Sequence, residues 1–580
     1  METTYRPLTA QETASLAAQQ CMADDWRLIE VAGDFSTEHI RNCRITGKLR
    51  INGDVRIENV GRIGGYEIRS GARIENTAVV ESATDSRFGT GVPVAVVNEN
   101  GGRAVPLSPY LTAQTAYVIA MCRHRPQTVS RLSAMMTAGD LPETACISSG
   151  ARINACGIIR DACIGEDAVI EGAARLENGT VHSFAGQRTY IGSGVILRDF
   201  VVCGNATVDN GTVAERCYIG NAAHLAGATV TDSMFFADSH CNNGEMCSVL
   251  AGPYTISHHK STLLIAGLFS FFNAGSGTNQ SNHLLKSGPV HQGIHQRGCK
   301  YGSDAYMMLP ALDGAFTTVI GRHKTHPDTE DFPFSILIEN EGHSWLLPGN
   351  NLATCGAARD TDKWPRRDRR DSFSRDIVNF SECNPYIGER ILRAISACEE
   401  LLSKETPDTV VYRRMRIKTA MLRRGLRLYR LAAEKYIGAM LDAGSDSGNV
   451  PSSATGRWSD VCGQYMPTSV LDSILDAIDS GELTTPDAVN DAFAAADADY
   501  TRQAYAWAKN ILAEKLGHAP SQTEIAEAVE TGRLAAEKLA AMAADDLRSE
   551  KDISTSVGYG LDSQDEERRL ADFRAVRGLE

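Results

Sequence analysis

From Ile45 onward an aliphatic residue returns at nearly every sixth position: Ile45, Ile51, Ile57 and Ile63, then, one residue short, Ile68, Ile74 and Val80. Small and polar residues fill the intervals, as in "ITGKLR", "INGDVR" and "IENVGR". The pattern stops near Ser82 and resumes at Ile147 with "ISSGAR" and "INACGI". It continues through "IGEDAV", "IEGAAR", "LENGTV", "IGSGVI", "VDNGTV", "IGNAAH" and "LAGATV" to about Val230. A period of six matches neither the 3.6 of an amphipathic helix nor the two of a simple strand. It predicts a short strand, a corner and another short strand. The aliphatic side chain points into a stacked core, and Gly, Asn or Asp takes the corner, where positive φ is easiest. Such coils bury their faces only against neighbouring coils, so many must follow one another. The predicted fold is mainly β, a parallel β-helix.

The two repeat blocks are separated by a different pattern. "VPVAVVNENGGRAVPL", Val92 to Leu107, is two alternating runs around "NENGG" and predicts a hairpin. "SPYLTAQTAYVIAMCRHRPQ" predicts a helix capped by Ser108, with Pro109 in its first turn. After about Arg370 the hexads vanish. The stripe Val411, Met415, Leu422, Leu426 and Tyr429 predicts a helix across Val410 to Tyr436, and Ser521 with Glu524 predicts a capping box. The predicted division is an N-terminal helical segment over 1–40, a first β-helix block over 41–84, and an inserted hairpin and helix over 85–144. A second β-helix block follows over 145–370, then an α-helical domain over 371–550 and a polar tail over 551–580.

Composition narrows the classes. A net charge of −14 argues against nucleic acid as a general partner. The fifteen cysteines include no CxxC pair and read as reduced small residues, Cys299 among them. No signal peptide opens the chain, and the longest apolar run, Leu263 to Phe272, is too short to span a bilayer. The expectation is a cytoplasmic protein with no membrane span.

Several stretches carry a resemblance: the hexads, notably Ile164 to Val169 and Ile219 to His224, "VVNENGGRAVPL", "AQTAYVIAMCRHR", the segment from Asn282 to Thr329, and "NPYIGERIL". Together they resemble an uncharacterised bacterial hexapeptide-repeat family of the trimeric UDP-N-acetylglucosamine acyltransferase-like superfamily, over about residues 40 to 440. The resemblance implies a left-handed β-helix, a homotrimer with sites between subunits, and acyl transfer from acyl-CoA or acyl carrier protein with a histidine as general base. Other members are zinc carbonic anhydrases. The Gly-rich nucleotidyltransferase signature of some relatives is missing.

Candidate chemistry centres on histidine. Of fourteen histidines nine lie between His240 and His343, where an even spread would place two or three. A first reading is a transferase acting on a nucleotide-linked sugar or other phosphorylated small molecule, with acyl-CoA or a nucleotide sugar as substrate. His283, His291 or His295 takes the proton and Asn282 or Asp304 orients the ring. Lys286, Arg297, Lys300, Arg322, His323 and Lys324 are then candidates for holding the substrate and its phosphates. A second reading is a zinc site drawn from His240, His258, His291 and His295, since His240 and His258 lie one expected coil apart and His291 and His295 have ligand spacing. A third is a non-enzymatic binding scaffold. The basic runs "RRMRIKTAMLRRGLRLYR", Arg413 to Arg430, and "KWPRRDRR", Lys363 to Arg370, read as solvated faces or as anion contacts.

Overall fold

The computed structural model describes residues 4–83, 85–138, 142–281, 292–370, 374–403, 407–444 and 456–558, with residues 567, 568, 571 and 575. The architecture is mainly β: a parallel solenoid of about 17 turns, followed by a helical region. Each strand pairs in parallel with the strand one turn later. Ile147 faces Ile164, Ile153 faces Ile170 and Ile159 faces Leu176, a step of seventeen residues. Beyond Thr229–Phe235, which pairs with both Glu245–Cys247 and Leu250–Ala251, the turns break into short strands of two or three residues.

The aliphatic repeat is the core of this stack. Ile45, Ile51, Ile57, Ile63, Ile68, Ile74 and Val80 are all buried, as are Ile147, Ile153, Ile159, Ile164 and Ile170 after the insertion. Corners bend through positive φ at Asn42, Asn59 and Asn76, a conformation that asparagine tolerates better than branched residues. Their amides form a ladder, Asn42 donating to Asn59 at 2.9 Å, Asn59 to Asn76 at 3.0 Å and Asn76 to Asn154 at 3.2 Å. The last step crosses the insertion. Tyr66–Ile68 pairs directly with Ala145–Ile147, so the solenoid resumes in register as though residues 85–144 were a side branch.

Several boundaries differ from the sequence-based expectation. The N-terminal segment holds one helix, Ala10–Ala18, capped by Thr9 and Glu12. Met22–Ala23 and Ile29–Ala32 already pair in parallel with Ile40–Ile45 and Leu49–Asn52, so the solenoid begins before residue 41. In the insertion, Pro93–Ala95 and Ala104–Pro106 form the antiparallel hairpin. The helix starts at Ala113 under a Thr112–Thr115 capping box rather than at Ser108, whose hydroxyl accepts from the Tyr110 amide in a local turn. A second helix, Pro126–Thr137, follows.

The region after Arg370 is not all helix. The stripe read as a helix from Val410 is a hairpin, Thr409–Tyr412 with Met415–Lys418, turning at Arg413 and Arg414 with positive φ. Met415 and Ile417 point inward and Val411 is 69% exposed, the alternation of a strand. The helix Thr419–Ala443 begins only after it. The predicted capping box is present: the Ser521 amide donates to Glu524 at 2.8 Å. Helix Gln522–Gly558 carries the chain beyond residue 551; most of the expected polar tail lies outside the described residues.

The insertion and the C-terminal region share a second core. Val118, Ile119 and Leu132 pack with Leu475, Ile478 and Phe493 against Met234, Phe236 and Leu250 of the solenoid. Among the described residues no helix is long and apolar enough to cross a membrane. Because Ile153 is buried between turns on both sides, Ile153→Ala is expected to lower unfolding stability by about 2–5 kcal/mol. A matched surface change at Arg152 should leave the urea midpoint nearly unmoved.

Candidate functional site

A spacing near one turn brings histidines from distant sequence positions onto one edge. His224 pairs in register with His240, and the two rings stand 5.5 Å apart. His258 lies on the next turn, its ring 5.2 Å from that of His240, with His240 Nδ1 and His258 Nε2 at 3.1 Å. Arg369 closes the row: its Nη2 donates to His240 Nε2 at 2.9 Å and to the Ala222 carbonyl at 3.1 Å. Asp238 holds the arginine through its backbone amide at 3.0 Å and its Nε at 3.1 Å.

These contacts fix the tautomers. A guanidinium only donates, so His240 Nε2 accepts and the His240 proton sits on Nδ1. That proton points to His258 Nε2, leaving His258 with its own proton on Nδ1. In this arrangement both rings are neutral, His240 half-buried and His258 exposed at its outer edge. Burial, then Arg369, pulls His240 down to about 3. Burial also lowers His258 and His224, helped by His259 and Arg369 respectively.

His240 and His258 of the row, with His259, line one wall of a groove of about 600 Å³. The opposite wall is helix Cys355–Arg366 and the segment that follows it. Trp364 packs edge-on against Phe271 at 4.7 Å and gives the groove an aromatic floor. Lys300 pairs with Asp360, Arg366 with Asp362 and Arg370 with Asp368. Lys363 and Arg367 line the same groove without an ion pair among the described residues. Burial, then the neighbouring Arg367 charge, lowers the Lys363 amine. Five cations, Lys300, Lys363, Arg366, Arg367 and Arg369, and three carboxylates, Asp238, Asp360 and Asp368, line the groove, an excess of positive charge.

The residues singled out in the sequence are dispersed by the fold. Asn282, His283, Lys286 and His291 lie outside the described residues. His295 points into the solenoid and is 1% exposed, its ring stacked on Phe269 at 4.6 Å. Gln280, oriented by accepting from the Ile265 amide, donates to His295 Nε2 at 2.9 Å, and His295 Nδ1 bonds Asp313 at 2.5 Å. Neither ring nitrogen is left for a substrate. Arg297 is 3% exposed and serves as a clamp: it pairs with Asp460 at 3.1 Å, donates to the Asn379 and Gly463 carbonyls at 2.6 Å each, and lies between the Phe271 and Tyr465 rings.

Asp304 and Arg322 form an exposed pair at 2.7 Å on a corner. His323 is buried, bonded to Ser344 at 2.9 Å and to the Ile320 carbonyl at 3.2 Å. Lys324 is exposed, and only Lys300 of this set reaches the groove. The Cys299 thiol is buried, and burial raises it well above its ordinary value. Of the proposed zinc ligands, His240 and His258 meet, whereas His295 is locked in the core. Among the described residues no group of three or more His, Cys, Asp or Glu side chains is placed to hold a metal. His224 escaped the sequence reading; its offset of one turn from His240, and so of two turns from His258, is the signal that finds it.

Residues 49–402 match the family described as Domain of unknown function (DUF4954). The chain belongs to the DUF4954 family. Residues 448–579 match a second domain of unknown function, DUF6819. A relative described as an uncharacterized protein, from Treponema pallidum (strain Nichols), is 24% identical over 392 residues, 59% of this chain and 54% of its own length. The chain thus spans about half the length of that relative. The resemblance to the hexapeptide-repeat acyltransferase-like superfamily is not supported: the families that match are DUF4954 and DUF6819, and no hexapeptide-repeat or acyltransferase-like family is among them. A six-residue aliphatic step fills any parallel solenoid with turns near seventeen residues, so it does not by itself specify that superfamily.

The groove of this DUF4954 protein has a pH signature. His240 falls from an ordinary 6.5 to about 3 on folding, and burial takes His182 to about 4. The unfolded chain therefore binds protons that the folded chain refuses. Their stabilising contribution is complete above the ordinary histidine range and is lost progressively as pH falls toward the folded values. Urea midpoints should drop between about pH 7 and about pH 5.5, and His240→Gln should make that decline shallower. An unchanged slope in the variant would contradict the neutral, half-buried state of His240.

Proposed function

We propose that the groove binds a phosphorylated small molecule and that the protein acts on it as a transferase, a nucleotide-linked sugar being the substrate class that best suits its walls. The observation that carries this reading is the pair of unmatched cations, Lys363 and Arg367, beside a neutral histidine row. A phosphate meets those cations and the Nδ1–H of His258, and charge-assisted bonds of this kind are about twice as strong as neutral ones. Trp364 offers a flat apolar surface to a base or a sugar ring. In a protein of net charge −14, a basic groove also concentrates anions locally.

Arg369 supplies the proton chemistry in this reading. While its guanidinium rests on His240 Nε2, that nitrogen cannot take a proton. A phosphate that draws the guanidinium away frees the lone pair, so the base is exposed only when ligand is bound. In this reading the general base is His240.

Titration calorimetry with UDP-N-acetylglucosamine, coenzyme A and inorganic pyrophosphate tests the reading. At least one should bind saturably, more weakly at high salt. The Lys363→Ala, Arg367→Ala double variant should weaken binding by about tenfold or more, equivalent to about 1.4 kcal/mol. His240→Gln should retain binding and lose turnover. If none of the three compounds binds, or the double variant binds as the parent does, the reading fails.

A further inference from the structure

A second cavity, of about 240 Å³, lies where the solenoid meets the insertion helix Ala113–Met121, the helix Pro385–Leu402 and the hairpin Trp458–Pro467. Arg390 sits in its wall and is 7% exposed. Its guanidinium stacks on the Tyr386 ring, with the guanidinium carbon 3.4 Å from the ring centroid. Nε donates to Gln296 at 3.2 Å and Nη1 to the Tyr386 carbonyl at 3.0 Å. All of these partners are neutral. Among the described residues Arg390 makes no ion pair, in contrast to Arg297 in the same cavity, which is matched by Asp460.

A buried charge without a counter-charge is costly, and folded proteins ordinarily pair it. Two neutral acceptors and a ring face meet part of that cost. They leave Nη2 and the second Nη1 hydrogen, the end-on edge of the fork that matches the two oxygens of a carboxylate. Tyr117, Met121, Leu268, Ile294 and Leu312 give the same space an apolar side, while Glu330 and Asp460 line it as well, Asp460 being paired with Arg297.

We propose that this cavity is a ligand site separate from the groove, and that it takes a small organic carboxylate with a compact apolar body. The carboxylate lies against the free edge of Arg390 and the body against Leu268 and Leu312. The volume excludes a nucleotide-sized ligand, and one cation without an ion pair among the described residues, in a wall that also carries Glu330, favours a monoanion; this sets the site apart from the phosphate chemistry of the groove.

The test is thermal shift and titration calorimetry of the full chain with acetate, propionate, isobutyrate and pyruvate at constant ionic strength. Sodium chloride and isobutyramide, the neutral isostere, are the controls. Saturable stabilisation by at least one carboxylate, not reproduced by either control, is expected. Arg390→Gln should reduce that binding by about tenfold or more while Lys363→Ala leaves it unchanged. Leu312→Trp fills the chamber from the solenoid side with the arginine intact, and it too should abolish carboxylate binding. This second variant keeps the test decisive if Arg390→Gln fails to fold. Equal stabilisation by chloride, no effect of any carboxylate, or unchanged binding in the Leu312→Trp protein would overturn the proposal.

Discussion

Every turn of this protein is held to the next by parallel backbone hydrogen bonds at a step of about seventeen residues, and that constraint governs the rest. Parallel ladders leave no freedom of register once an aliphatic side chain must face inward on each side of the coil. A residue therefore stacks on whatever lies sixteen to eighteen positions away. The asparagine ladder from Asn42 to Asn154 and the histidine row from His224 to His258 are the same device with different side chains. One satisfies amides at a corner; the other lines up rings along a groove.

The groove and the Arg390 cavity arise where the C-terminal region folds back on the stack. Arg297 is the clamp of that contact, reaching from the solenoid to Asp460 and to two backbone carbonyls, with Phe271 of the groove on one side and Tyr465 of the distal hairpin on the other. Removing it would leave Asp460 buried without its cation and open both cavities at once. The segment carrying Trp364, Lys363 and Arg369 is a lid of opposite design, rich in charge and fixed through Asp238 and Asp368. Apolar packing therefore sets where the two parts meet, and paired charges set how the groove between them is shaped.

Histidine density drew attention to the segment from Asn282, and the described residues of that segment do not meet at one place. The segment from Asn282 looked like one patch because its histidines are neighbours in sequence. In a strand, neighbours alternate sides, and in a solenoid they also pass to new faces. His295 consequently turns inward onto Phe269 and Asp313, while Asp304 and Arg322 end at an exposed corner. The groove is lined instead by His240, His258 and His259 and by a segment about a hundred residues later. The hairpin at Arg413 shows the same limit. Val411, Met415 and Leu422 satisfy helical spacing, but pairing of Arg416 with Trp345 draws the first part into a sheet.

The amino-acid sequence by itself determined that this chain is a stack: its six-residue aliphatic step admits few other ways to bury so many isoleucines. It also determined the side branch at residues 85–144 and the change of character near Arg370, because composition and turn chemistry shift there locally. Tertiary structure alone decided which polar residues meet, which histidines are neutral and which arginine remains without a counter-charge. The physical reason is range. Burial patterns are written in neighbours a few residues apart, whereas the groove and the Arg390 cavity are made by contacts between elements about a hundred residues apart or more, whose docking angle no local pattern encodes.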